Sequence, residues 1–266
     1  MTGRRPSDAI TDDAALGGRL RLRQPASGHR FGHDAILLAA SVPACAGDVA
    51  IDLGAGVGAA GLALARRVDG VTVRLIEINI RLAALASENA ERNGLADRVT
   101  ALTLDVTGRA EWFAAVGLAP ASADHVLMNP PFNDSSRVKA SPDARRRAAH
   151  LAAPGTLASW LGTAARLLRK GGVLTVIHRA DAMDAVVGLL EPAFGAVAIQ
   201  PVHPKPDAGA IRILVRAVKD ARAPLRLLPG LMLNGDDGRP TAAAEAVLRG
   251  GEPLPLALLN GLKSRG

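Results

Sequence analysis

From Val49 onward the chain alternates two kinds of apolar pattern, short runs rich in Val, Ile and Leu and longer stretches with apolar positions at helical spacing. VAIDLG (49–54) reads as a short buried strand, and GVGAAGLALARR (56–67) as a helix opened by glycines. VTVRLIE (71–77) is a β-branched strand ending in Glu77. NIRLAALASENAERNG (79–94) is an amphipathic helix closed by Asn93-Gly94. VTALTLD (99–105) gives a third strand ending in Asp105, and ADHVLMN (123–129) a fourth ending in Asn129. LASWLGTAARLLRKGG (157–172) reads as a helix with basic residues and glycines at its end. VLTVIHR (173–179) is a fifth strand and AMDAVVGLL (182–190) a helix. AVAIQPVHP (196–204) and AIRILVRAV (210–218) form a closing antiparallel pair. This alternation predicts an α/β fold, a parallel sheet covered on both faces.

The flanks are less regular. The first ~18 residues are polar and expected to fray, while RLRLRQ (19–24) alternates Arg with Leu like an edge strand with one wet face. Asp34 is placed to cap the helix AILLAASVPA (35–44). The tail from Ala221, with its Pro-Gly, Asn-Gly and Asp-Gly steps, reads as loops plus one short helix. Three regions are therefore expected: an N-terminal extension (1–48), a central α/β domain (49–220) and a C-terminal tail (221–266).

Composition narrows the options. Hydrophobic residues make up 48% of the 266, enough for a core, but aromatics are only 2% with no Tyr, so Ala, Leu and Val must fill it. A formal charge of +7 favours partners with phosphate backbones or anionic surfaces. Cys45 is the one cysteine, which excludes an internal disulfide and any multi-Cys zinc site. The His residues 29, 33, 150, 178 and 203 show no metal-ligand spacing, His125 is expected to be packed, and no metal is expected. No apolar stretch resembles a signal peptide or approaches the ~18 residues of a membrane span, so a soluble, cytoplasmic protein is expected.

In an open α/β sheet, ligands lie beyond the carboxyl ends of the strands where strand order reverses. Asp52 with its glycines, Glu77, Asp105 and Asn129 end four successive strands and should converge there. DLGAGVGAAG (52–61) lets the backbone turn tightly and approach a ligand. Gly56-Val-Gly58-Ala-Ala-Gly61 satisfies a dinucleotide fingerprint, but a plain strand-to-helix turn would too. Asp52 argues against a pyrophosphate, which it would repel, and for a ligand carrying an ammonium.

D-x-G-x-G-x-G after the first strand, an acid ending the second and Asp105 ending the third resemble the class I methyltransferases that use S-adenosylmethionine (SAM). The resemblance implies a Rossmann-like, mostly parallel seven-stranded sheet with helices on both faces and an antiparallel closing strand. It implies that Gly54, Gly56 and Gly58 line the cofactor and that Asp52 reaches its methionine end through water or backbone. By the same resemblance, Glu77 would accept the ribose hydroxyls, Asp105 the adenine amino group, and the backbone N–H of Val106 would serve a ring nitrogen.

Asn129-Pro130-Pro131-Phe132 completes the pattern. The prolines end the strand and hold Asn129 and the Pro130 carbonyl rigid. The resemblance makes these four residues the catalytic set for methylation of a conjugated amino nitrogen. The carboxamide and carbonyl oxygens would accept its two N–H bonds as positive charge grows, and Phe132 would offer a stacking face. Among families sharing the step, the chain resembles bacterial tRNA(Val) adenine-N6 methyltransferases best. QPASGHRFGHDAILLAA (24–40), where an aromatic-x-x-Asp step from Phe31 to Asp34 leads into a Leu-rich helix, resembles the segment of that group before its core, with Phe31 and Asp34 implied as cofactor contacts. Ribosomal RNA guanine and release-factor glutamine methyltransferases are the alternatives within enzymes, and a non-catalytic SAM- and RNA-binding module the alternative outside them. Arg137, Lys139, Arg145, Arg146 and Arg147 lie just beyond the step, where an RNA backbone, expected to be tRNA, would pass; a solvated loop is the bland reading. The arginines of 19–23 would extend that stripe.

Overall fold

The computed structural model describes residues 9–28, 30–131 and 155–259. Strands β1 (Ile10–Ala15) and β2 (Leu20–Pro25) form an antiparallel hairpin turned at Gly17, whose φ is 64°. The expected fraying of the first ~18 residues thus fails from Ile10 onward. Polar residues hold β1 instead of apolar ones: Gln24 donates to Asp13 at 2.8 Å, and Arg92 of a later helix reaches Asp12 at 2.6 Å. Leu20 and Leu22 of β2 are fully buried. The arginines that alternate with them have partners within the chain, Arg21 on Asp12 (3.2 Å), Arg23 on Glu88 (2.5 Å) and Arg19 on the carbonyls of Leu16 and Gly250. The side chains of Arg21 and Arg23 are nonetheless exposed at the surface while so paired.

Helix α1 (His33–Ser41) begins at Gly32, which caps it without a side chain. The cap expected from Asp34 does not form, because that carboxylate sits inside the first turn and pairs with Arg212 at 2.9 Å. The central unit then runs β3 (Val49–Leu53), α2 (Ala59–Arg67), β4 (Thr72–Glu77), α3 (Ile80–Arg92), β5 (Val99–Thr103), α4 (Ala110–Ala115), β6 (Ala123–Met128), α5 (Thr156–Leu167), β7 (Leu168–Arg179), α6 (Met183–Leu190), β8 (Phe194–His203) and β9 (Arg212–Lys219). Asn79 caps α3, accepting from the Arg81 N–H at 3.0 Å.

The helix expected over 157–172 ends at Leu167, and its last five residues open β7. Gly171 adopts φ 73°, and Arg169 is pulled to Asp124 at 2.5 Å. A left-handed glycine cannot continue a helix, and the basic run served strand pairing rather than the helix end.

Two-residue strands β10 (Arg226–Leu227) and β11 (Leu231–Met232) both pair with β8, giving a nine-stranded sheet of order β10-β8-β9-β7-β6-β3-β4-β5 with β11 beside β8. The seven expected strands run from β8 to the edge strand β5, and β10 and β11 add to them beside β8. β3 pairs in parallel with both β4 and β6, and β9 is the antiparallel strand between β7 and β8. Strand order therefore reverses beside β3 and creates the crevice.

Apolar cores lie on both faces. One joins α1, α2 and the hairpin; the other joins α4, α5 and α6. The tail packs on the first with α7 (Ala242–Leu248) and α8 (Pro255–Leu258), one short helix more than expected, burying Leu231, Val247, Leu254 and Leu256. Arg216, 4% exposed, donates to the carbonyls of Leu256 (3.2 Å) and Leu259 (2.6 Å). No helix among the described residues is long and apolar enough to cross a membrane.

Candidate cofactor and acceptor crevice

The glycine loop follows β3 and is pinned from three sides. The N–H groups of Gly54 and Ala55 both donate to the Ile76 carbonyl at 2.9 Å. Glu77, at the end of β4, accepts from Gly56 N at 2.8 Å through one carboxylate oxygen and from Asn79 N at 2.9 Å through the other. Asp52 is 2% exposed and accepts from Gly61 N, in the first turn of α2, at 2.9 Å. Burial pushes the Asp52 carboxyl up to about 7, with the Gly61 N–H opposing and nearby Glu77 adding to the rise.

The three glycines differ. A Cβ on Gly56 would meet nothing within 4 Å, and its φ of 58° favours glycine, so this is where the backbone lies open to a ligand. A Cβ on Gly54 would lie 2.3 Å from Cη2 of Trp160, and one on Gly58 would lie 2.9 Å from Leu75. Those two are glycine because the protein itself approaches closely.

Beyond β5, Asp105 Oδ1 accepts from both the N–H and the hydroxyl of Thr107 at 2.8 Å. Val106 is buried, and its carbonyl accepts from the Thr163 hydroxyl at 2.8 Å. At the end of β6, the Asn129 carboxamide oxygen is shielded from solvent and has no hydrogen-bond partner among the described residues. Pro130 behind it is buried and Pro131 half-buried. Phe132, Arg137, Lys139, Arg145, Arg146 and Arg147 lie outside the described residues.

Phe31 donates its N–H to Gln24 at 3.0 Å and, with His33, lines a groove of about 630 Å³ between the hairpin and α7. Asp34 is engaged by Arg212. The structure thus brings Asp52, Gly56, Glu77 and the loop after β5 together directly, and places Phe31 and Asp34 on the flank built by α1. His125 is packed, with Nε2 2.9 Å from Asp48, and burial depresses the His178 pKa.

These residues fit SAM. Gly56 permits close backbone approach, and each oxygen of Glu77 keeps acceptor capacity for a diol beyond its one backbone bond.

Residues 27–202 match the model of the methyltransferase small domain. The chain belongs to that family. As a methyltransferase small domain it has the class I, Rossmann-like fold, and SAM is its cofactor. It is 34% identical over 153 residues to a release factor glutamine methyltransferase of Gloeobacter violaceus, covering 55% of this chain and 51% of that protein. It is 30% identical over 161 residues to a tRNA1(Val) (adenine(37)-N6)-methyltransferase of Trichodesmium erythraeum, covering 59% of this chain and 63% of that one. The chain therefore matches about half to under two thirds of the length of these relatives. A predicted O-methyltransferase of Agrobacterium tumefaciens superposes with a TM-score of 0.70 at 29% identity, over 83% of this chain and 97% of its own. A Thermus thermophilus 16S rRNA N2 methyltransferase, in complex with AdoMet and guanosine, shares the fold with a TM-score of 0.55 at 24% identity, over 79% and 50%.

Sequence reasoning overlooked three residues that shape this domain's crevice. Trp160 covers Gly54, and Thr163 holds Val106. Asn89 donates to the carbonyls of Arg23 and Val57, both at 3.0 Å, tying β2 to the glycine loop. Asn89 left one signal, a carboxamide on the apolar face of α3. Trp160 left none beyond the scarcity of aromatics.

Proposed function

We propose that the protein transfers a methyl group from SAM to the exocyclic amino nitrogen of an adenine in RNA, with the anticodon loop of a tRNA as the acceptor. The observation that carries this reading is the Asn129 carboxamide oxygen, buried at the switch point and without a partner among the described residues. Leaving such an acceptor unsatisfied costs ~1–3 kcal/mol, which a fold tolerates where the group serves a ligand. SAM, when bound, would supply an electrophilic methyl on a sulfonium sulfur, which keeps the electron pair of the broken S–CH3 bond and leaves as a neutral thioether. The Asn129 oxygen and the Pro130 carbonyl accept the two N–H bonds of the incoming amino group. Its lone pair is thereby freed from conjugation, and the growing positive charge meets fixed dipoles. The methylated nitrogen then loses its extra proton to water, so no general base is required. The adjoining prolines keep both acceptors from relaxing, and Phe132 supplies the stacking face.

In this reading Glu77 holds the ribose hydroxyls, Asp105 and the N–H of Val106 the adenine edge, and Gly54, Gly56 and Gly58 form the loop around the cofactor. Asp52 acts through that loop, and Phe31 and Asp34 close the methionine end from the α1 flank. Residues 49–220 form the catalytic domain, flanked by the extension and the tail. Arg137, Lys139, Arg145, Arg146 and Arg147 contact the RNA backbone, in keeping with a net charge of +7, in a cytoplasmic setting.

The test is to incubate the protein with methyl-labelled SAM and total RNA from cells lacking it, then to digest the RNA and identify the labelled nucleoside. Methylated adenosine supports the reading, and label in guanosine moves it to the ribosomal alternative. A glutamine acceptor is the second reading, favoured by 34% identity to a release factor glutamine methyltransferase. Label in release factor and none in RNA would establish it. Absence of label from both would leave only binding without catalysis.

A further inference from the structure

One helix touches both sides of the cofactor crevice. On α5, Trp160, Thr163 and Arg166 recur at a spacing of three and share a face. Trp160, only 6% exposed, sets its indole edge against the Cα of Gly54, with Cη2 2.3 Å and Cζ3 2.9 Å from the point a Cβ would occupy. Thr163 holds the carbonyl of Val106 at 2.8 Å, and the Arg166 guanidinium lies 4.9 Å over the ring of Phe113 in α4. The same helix thus bears on the loop after β3, the loop after β5 and the helix beyond it.

We propose that Trp160 is a positioning residue for methyl transfer: its indole, resting on Gly54, sets the height of the glycine loop and thereby the affinity for the cofactor. This rests on the methyltransferase reading above. The ring is wide and stiff, and Gly54 at φ 73° leaves no side chain between it and the backbone. Movement of the loop is therefore transmitted to the ring rather than absorbed. A smaller side chain at 160 leaves room for the loop to sink away from the position that suits the sulfonium.

The two tryptophans make the test direct. Trp112 is half-exposed on α4, so a Trp112→Phe protein reports on Trp160 alone. S-adenosylhomocysteine serves as the probe, titrated by calorimetry and by emission on the full chain. Saturation is expected to shift the Trp160 emission with the same midpoint as the heat. Trp160→Leu should weaken S-adenosylhomocysteine binding about tenfold, and Trp160→Phe should recover to within about threefold of wild type. A purely structural indole would give no emission change on binding. Heat with silent emission, or a Leu variant binding like wild type, overturns this inference and leaves the methyltransferase reading standing. If Trp160→Leu does not fold, the emission and the Phe variant still decide. No heat from the wild-type protein sinks the cofactor assignment itself, and this inference with it.

Discussion

The two halves of the sheet on either side of β3 handle their polar groups in opposite ways. In the half made of β3, β4 and β5, the crevice acids have backbone partners: Asp52 on Gly61, Glu77 on Gly56 and Asn79, Asp105 on Thr107. In the half that begins with β6, the decisive polar atom, Asn129 Oδ1, has no partner among the described residues. The cofactor half spends its carboxylates on holding a loop still. On the proposed reading the other half is the acceptor half: two prolines follow its amide, whose oxygen has no partner among the described residues. A shape-fixing group gains from satisfied hydrogen bonds, whereas a group that must bind in the transition state gains from not being satisfied beforehand.

The largest expected effect tests the cofactor half by pH. Asp52 has a folded-state pKa raised from 3.8 to about 7, so the fold binds its proton more tightly than the unfolded chain does. Its contribution to stability is therefore fully present below about pH 4 and is lost as pH rises through about 7. The difference amounts to something on the order of 4 kcal/mol. Thermal melts of wild type and Asp52→Asn from pH 4 to pH 8 should diverge, with the variant lacking that decline. Parallel curves would mean the carboxylate is ionised throughout, and the loop less tightly enclosed than described.

Next comes the floor of the loop. Gly54→Ala forces a Cβ into the Trp160 ring at a left-handed φ, which should cost ~2–4 kcal/mol in a denaturant titration and abolish measurable cofactor binding. An alanine accepted without loss would show that the loop has slack.

Asn129→Ala addresses the other half and should behave in the opposite way. Turnover with SAM and RNA should fall ~10²-fold, the scale of one preorganised transition-state contact. Cofactor affinity and melting temperature should hold or rise slightly, because an unsatisfied buried acceptor has been removed. Equal collapse of SAM binding would erase the contrast between the halves.

The smallest effect sharpens the comparison. Thr107→Val removes one of the two bonds to Asp105 and leaves the backbone one, so cofactor affinity should change by less than ~1 kcal/mol, about fivefold at most. A larger loss would move Asp105 from the braced group to the ligand-dependent one.

Much of this is legible in the amino-acid sequence. The alternation from Val49 to Leu190 predicted strands and helices, because burial on a sheet and on a helix impose periods of two and 3.6. Asp52, Glu77, Asp105 and Asn129 stood out because each ends an apolar run. Local pattern misled where partners were distant. β1 has almost no apolar signal since Gln24, Arg21 and Arg92 hold it. The end of α5 was overrun because RLLRKGG suits a helix terminus as well as a strand start.

By itself, then, the sequence determined the order of elements, the two cores and the place of the four strand-end groups, since these follow from side-chain period and from proline and glycine stereochemistry. Only the tertiary structure decided what each group faces. Gly54 meets an indole while Gly56 meets open space, and Asp52 is sealed in while the Asn129 oxygen has no partner among the described residues. Asp34 turns to Arg212, and Arg21 and Arg23 of β2 pair with Asp12 and Glu88. Such outcomes depend on residues tens to hundreds of positions apart meeting at contact distance, and no local periodicity encodes that.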